Sequence, residues 1–228
     1  MNKIAVLGGS LLCALCAEAQ QPLAILKEAD LSRWSAFAQN GNTQYDRVMD
    51  LEQGVVLRAE SHGSASGYRI SQSVNLEKTP TLIWQWTVEN FPFFKRVHED
   101  GIEKPVTEFD EQHKHGNDFA VRVSVGRSAL FGENKTLHYV WSSQSAAGAQ
   151  WKLDEHNYVM AVNGPEASTL RWQTVSRNVA QDWQAAFGEH IKDLDFVTIM
   201  TDADDIKGQA VGYYGDIAWQ ANSALTAN

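Results

Sequence analysis

Asp202, Asp204 and Asp205 stand within four residues of one another in MTDADDIKGQAVGYYGDIAW, residues 200–219 of the 228-residue chain, with Asp195 just upstream and Asp216 inside the stretch. Oxygen-rich turns of this kind can hold Ca²⁺, because crowded carboxylates repel one another unless a cation or an arginine neutralises them. The string lacks the glycine and the distal glutamate of an EF-hand loop. Aspartates also cap turns through their own backbone and pair with arginines, for which Arg122 and Arg177 are the candidates. Both readings stand: a Ca²⁺ site on Asp202, Asp204 and Asp205, or a capped and paired turn.

A second group comes from period-two alternation. Asp118 and Arg122 are four residues apart and so project from the same side of one strand. Tyr214 and Asp216 likewise share the face opposite Val211, Tyr213, Ile217 and Trp219. If the two strands are neighbours, Asp118, Arg122, Tyr214 and Asp216 line one groove. A polar face floored by aromatics can hold sugars through CH–π stacking and carboxylate hydrogen bonds; the alternative is a buried Asp–Arg network that locks strand register. Trp141 and Trp151 flank SSQSAAGAQ (142–150) and are the candidates for exposed platforms, whereas Trp84 and Trp86 alternate with Leu82 and Val88 and belong to the core. The expected ligand-binding set is Asp118, Arg122, Trp141, Arg177, Tyr214 and Asp216. His113 and His115 offer a thin metal signal with Asp110 or Glu111, and His98 lies nearby. Glu108-x-Asp110 resembles the alternating carboxylates of some jelly-roll glycosidases, but His113 stands where a third acid belongs. No Gly-x-Ser-x-Gly, Cys–His pair or phosphate loop occurs.

The elements that must position these residues are short alternating runs punctuated by Gly, Asn and Asp. Strands are expected at 45–50, 54–60, 66–74, 81–89, 118–126, 136–141, 157–162, 169–177, 196–201 and 209–219, with a long polar loop over 90–117. One helix is expected: Asn178 is its N-cap, Gln181 its third position, and Gly188 lies just past its end. Val179, Trp183 and Phe187 recur every four residues and lay one face on a sheet. Many strands, one short helix and no βαβ rhythm predict an antiparallel β-sandwich of jelly-roll type.

Lys3, an apolar run over 4–16 and Ala17-Glu18-Ala19 form a cleavable signal peptide, residues 1–19, which predicts a periplasmic or secreted protein with a single domain over 20–228. Cys13 and Cys16 both fall inside the removed segment, so no disulfide and no cysteine-ligated metal is expected after cleavage. The net charge of −9 argues against nucleic acid or an anionic membrane as partner. No further apolar run reaches membrane-spanning length.

SHGSASGYRI, TPTLIWQW, GNDFAVRVSV, LHYVW, RNVAQDWQAAFG, MTDADD and YYGDI occur in that order. Together they resemble domain of unknown function 3047, a family of secreted bacterial proteins, over about 45–219. The resemblance implies a bacterial, periplasmic β-sandwich and carries no activity to transfer. Two departures stand out: Asp205 replaces the family's usual Asn after Thr-Asp-x-Asp, and the segment between Trp86 and Asp118 is longer than usual. The expected function is non-catalytic binding of a carbohydrate or cell-envelope glycan. A glycoside hydrolase or polysaccharide lyase, and an envelope structural protein without a small ligand, are the alternatives.

Overall fold

The computed structural model describes residues 21–97, 103–106 and 109–221, and the side chains of all of these except 94–97 and 103–106. The expected signal peptide, His98 and Glu108 lie outside the described residues. In chain order the first strands are β1 (Leu23–Leu26), β2 (Ser35–Asn40), β3 (Gln44–Asp50), β4 (Gly54–His62), β5 (Ala65–Asn75), β6 (Thr81–Val97) and β7 (Glu103–Val106). They are followed by β8 (Arg122–Arg127), β9 (Lys135–Trp141), β10 (Gln150–Lys152), β11 (Asn157–Asn163) and β12 (Gln173–Asn178). Helix α1 (Val179–Phe187), β13 (Asp193–Asp202) and β14 (Gln209–Gln220) close the chain.

The strands form two seven-stranded sheets packed as a sandwich of jelly-roll type. In the first the order is β12-β6-β14-β4-β3, with β1 beside β14 and β7 beside β6; in the second it is β10-β11-β9-β8-β13-β5-β2. Among the described residues every strand pairing is antiparallel except β9 with β11. The segment between them reverses twice, through the short β10, which pairs back on β11.

Alternation decides which face is core. In β6, Leu82, Trp84, Trp86 and Val88 are fully buried, while in β8 Val123 and Val125 point inward. Trp84 packs edge-on against Trp86 at 5.3 Å and, tilted by 37°, against Tyr139 of the opposite sheet at 5.1 Å. Such aromatic pairs add about 0.5–1.5 kcal/mol each beyond the area they bury. The helix forms where local capping dictates. The Asn178 side chain accepts from Gln181 N–H, and Gly188 adopts φ 70° while its N–H bonds the Gln184 carbonyl. Asn178 thereby satisfies an N–H that the first turn would leave orphaned, and Gly188 takes a left-handed conformation that costs other residues a Cβ clash.

Three expectations need correction. The segment expected as a loop over 90–117 is in part strand, because β6 continues to Val97 and pairs with β7. The strand expected from Asp118 begins at Arg122, since Asp202 N–H is taken by the Phe119 carbonyl outside the regular ladder. Strands β1, β2 and β10 have no counterpart among the expected elements; β2 is mostly solvent-exposed and its apolar residues Ala36, Phe37 and Ala38 are consecutive, so it carries no alternation to read.

Candidate functional site

A buried polar cluster joins the sheets. At the end of β13, Asp202 accepts from Phe119 N–H at 2.9 Å and from the Arg122 guanidinium at 2.6 Å, with both side chains about 95% buried. Arg122 also donates to the Asn117 carbonyl at 2.7 Å. Asp118 accepts from Ile206 N–H at 2.9 Å and Asp205 N–H at 3.4 Å, capping the turn that follows β13. Oxygens of Asp118, Asp202 and Asp204 lie within 4.8 Å of one another. Burial, with the charges of Asp205 and Asp204, pushes the Asp118 pKa up to about 6 against the pull of its backbone N–H donors. Burial raises that of Asp202, with Asp118 and Asp204 adding to the rise, while the Arg122 guanidinium at 2.6 Å opposes it and holds the carboxylate in an ion pair.

Tyr214 ties this cluster to the first sheet. Its hydroxyl donates to the Met200 carbonyl at 2.5 Å and accepts from Arg122 N–H at 3.1 Å. Thr201 lies 3.0 Å from the same oxygen and donates to the Ala120 carbonyl at 2.7 Å. On the other side, Tyr45 of β3 donates to the Ser66 carbonyl and accepts from Thr201 N–H. Buried groups need such partners, since an orphan costs about 1–3 kcal/mol. The network fixes how β13 sits against β3 and β14.

As a cation site the donor set fits poorly. Ca²⁺ takes 6–8 oxygen ligands, whereas both oxygens of Asp118 and both of Asp202 already accept from N–H donors. Asp204 accepts from the Asn40 amide at 3.1 Å. With Arg122 paired to Asp202 as well, these residues fit a paired cluster better than a Ca²⁺ site.

On the outer face of the second sheet, directly over Arg122, lies a cleft of about 300 Å³. Its floor is Arg122 and Ser124 of β8, Thr198 and Phe196 of β13, and His138 of β9; Phe37, Gln39 and Arg69 form one wall, Asn134, Thr136 and Asn157 the other. One hydrogen-bonded chain sets its polar atoms. Asp154 accepts from the Asn157 amide at 3.0 Å, which turns the Asn157 oxygen toward His138 Nε2 at 3.2 Å. Nε2 therefore carries the proton, and Nδ1 accepts from Ser124 Oγ–H at 2.8 Å. Burial and the Arg122 charge push the His138 pKa down to about 3, so the ring is neutral. Arg69 lies 3.7 Å over the Phe196 ring and donates to Ser128 Oγ at 3.3 Å. Gly126 makes room for that ring: a Cβ there would meet Phe196 Cζ at 2.1 Å.

A second groove of about 310 Å³ lies on the outer face of the first sheet, between Met49, Arg58, Thr87, Leu170, Trp172 and Tyr213. Tyr213 donates to Glu89 at 2.5 Å, and the Trp172 indole bonds Asp50.

The model of a family described as protein of unknown function, DUF3047, matches residues 32–100 and 101–218. The chain belongs to the DUF3047 family. No curated protein matches it. Among solved structures, endoglucanase cel12A from Rhodothermus marinus is similar at TM-score 0.44 and 11% identity, over 89% of this chain and 100% of that one. TmCBM61, solved in complex with β-1,4-galactotriose, is similar at TM-score 0.33 and 10% identity, over 85% and 91%. The enzymatically active domain of bacteriophage CBA120 tailspike protein 4 is similar at TM-score 0.41 and 7% identity; 85% of this chain matches 20% of that one.

In this DUF3047 protein the residues singled out by sequence are only partly brought together. Asp118, Arg122, Asp202, Asp204 and Tyr214 converge, but Asp118 and Tyr214 are buried behind the sheet and do not line the cleft. Asp216 does not share the face of Tyr214. Tyr214 pairs with Trp86 and Ile217 with Trp84, so β14 carries one extra residue there, and that bulge flips the alternation. Asp216 is exposed and accepts from Glu28 N–H at 3.0 Å. Trp141 is no platform; it is fully buried and donates to the Gly164 carbonyl at 3.0 Å. Trp151 is buried as well. Arg177 stands apart from the acidic cluster, paired with Asp182 of α1 at 2.5 Å, an aspartate that also accepts from Tyr139. Asp205 is not one of the three clustered carboxylates and accepts from Gly116 N–H at 3.0 Å. Glu111 is buried, clamped on Ser142 and Ser143, so it is not free to join a metal with His113, which pairs with Asp110. Arg69, Ser124, His138, Asn157 and Phe196 escape the reading of the sequence. The alternation of β8 and β9 marks Ser124 and His138 as outward-facing; the remaining contacts span strands far apart in sequence.

Proposed function

We propose that this DUF3047 protein is an exported, non-catalytic β-sandwich that binds carbohydrate in the cleft on the outer face of its second sheet. The observation that carries the reading is the lining of that cleft. Hydroxyl and amide groups of Ser124, Thr136, Thr198, Gln39, Asn134 and Asn157 line it together with the part-exposed ring of Phe37. Sugar hydroxyls need many short-range donors and acceptors, and sugar C–H faces need aromatic rings. The volume suits the low end of small-ligand sites. Hydrolysis by a carboxylate pair would require two acids flanking the bond, and no carboxylate is among the described residues lining the cleft. Its one histidine is held neutral in a fixed tautomer, which suits positioning.

A second reading places the sugar in the groove of the first sheet, where Trp172 and Tyr213 are part-exposed and pinned by Asp50 and Glu89. Titration calorimetry with a panel of plant and bacterial oligosaccharides tests both. Phe37→Ala and Asn157→Ala should each weaken binding at least tenfold while Trp172→Ala leaves it intact; the opposite pattern moves the site to the first sheet. Failure of every glycan to bind, or release of reducing ends on incubation, would overturn carbohydrate binding without catalysis.

A further inference from the structure

We propose that the cleft selects an acidic sugar, a uronate whose carboxylate is held by Arg69; this rests on the carbohydrate reading of the same cleft. The inference comes from charge balance. The protein carries a net charge of −9, yet the described lining of this cleft holds two arginines and no acid. Arg122 is already neutralised by Asp202 beneath the floor at 2.6 Å. His138 is neutral, its ring nitrogens committed to Ser124 and Asn157. Arg69 is different. Among the described residues it makes no ion pair; its hydrogen bond is to a hydroxyl, Ser128 Oγ, at 3.3 Å. The nearby Asp195 has one carboxylate oxygen engaged by Ser128 N–H at 2.7 Å.

The guanidinium is also preorganised. It lies 3.7 Å over the Phe196 ring, and that ring occupies the space Gly126 leaves by lacking a Cβ. A planar fork fixed in this way loses little freedom on accepting a carboxylate, which a guanidinium can take through two N–H groups. Partial burial of Arg69 strengthens the contact, since screening weakens away from bulk water. Among the described residues Arg69 lacks an ion-pair partner and has only Asp195 as a nearby acid, so a single carboxylate suffices to match it. A polyphosphate would bring more negative charge than the site can balance, and the acidic surface would repel it. The neighbouring hydroxyl and amide groups of Thr198, Gln39 and Asn134 remain for the sugar hydroxyls.

The test uses the full chain in titration calorimetry with a glucuronate-terminated oligosaccharide, its methyl ester and inorganic phosphate. The acid should bind at least tenfold tighter than the ester at low ionic strength, and the ratio should shrink as NaCl is raised. Arg69→Gln should bring the ratio close to one; Arg69→Lys, which keeps the charge but loses the fork, should leave an intermediate ratio. The melting temperature of each variant checks folding, and if Arg69→Gln does not fold, the Arg69→Lys ratio decides. Equal affinity for acid and ester, or an unchanged ratio in the folded variants, overturns the inference while leaving carbohydrate binding intact. Phosphate binding as tight as the uronate also overturns it, in favour of a simple oxyanion site. If neither saccharide binds while a neutral glycan of the panel does, the uronate inference fails alone; if the whole panel fails too, carbohydrate recognition itself fails.

Discussion

Replacing Asp118 by Asn should make the protein relatively more stable as pH rises from 5 to 8. Asp118 is fully buried, and its pKa is raised from 3.8 to about 6. With the folded-state value above the unfolded one, the folded protein binds the extra proton between them. Stability contributed by that proton is present at low pH and is lost as pH climbs through 6. The whole shift corresponds to about 3 kcal/mol at 1.36 kcal/mol per unit, of which about 1.4 kcal/mol falls between pH 5 and 8. For a domain of this size that is a change of roughly 3–6 °C in melting temperature. His138 acts in the opposite sense, because its lowered pKa makes the folded state refuse a proton below pH 6.5; it cancels when variant and parent are compared at each pH. The amide introduced by Asp118→Asn keeps one acceptor for Ile206 N–H and loses the longer bond from Asp205 N–H, a loss of about 1 kcal/mol that does not vary with pH. Removing the charge also relieves Asp202, which adds to the same trend. Thermal denaturation followed by circular dichroism, in EDTA, at half-unit steps of pH, gives the difference curve. A difference that stays flat, or that falls with rising pH, refutes the account of the cluster.

Two further substitutions probe the supports of the site. Tyr214→Phe strips the partner from both Arg122 N–H and the Met200 carbonyl, and should cost about 3 kcal/mol in urea denaturation; a loss below about 1 kcal/mol would mean that water enters the cluster. Gly126→Ala sets a Cβ 2.1 Å from Phe196 Cζ and 2.8 Å from the Lys135 carbonyl, so the ring must move, at about 1–3 kcal/mol. Uronate affinity should fall with that movement, because Arg69 is stacked on the ring; unchanged affinity would show that the stacking does not position the guanidinium.

Legibility from sequence followed the range of the interactions. The helix could be read because Asn178, Gln181 and Gly188 act within one turn of their own backbone. The core strands could be read because Leu82, Trp84, Trp86 and Val88 repeat every two residues. Period-two reasoning then failed at β14, where one extra residue between Tyr214 and Ile217 inverts the faces. The glycine at 215 is the only local hint of that bulge, and glycines occur in many strands without one. The tryptophans misled for a related reason. A flexible-looking SSQSAAGAQ segment beside Trp141 said nothing of the Gly164 carbonyl that meets its indole from 23 residues away. Arginine partners were least legible of all. Arg177 takes an acid five residues on, and Arg122 one that lies 80 residues on; composition treats the two alike.

The acidic cluster and the cleft are best understood as one construction. Arg122 faces both: its guanidinium pairs with Asp202 inside, and its side chain forms part of the cleft floor outside. A floor arginine without Asp202 would give the cleft a second free cation and favour doubly charged ligands. Asp202 without Arg122 would be a buried, uncompensated acid beside Asp118 and Asp204, costing several kcal/mol. Among the acids that read in sequence as a metal site, Asp202 thus has this further part. Asp202 holds the charge of Arg122 in place beneath the sheet, and so leaves Arg69 as the group that decides what charge the cleft accepts.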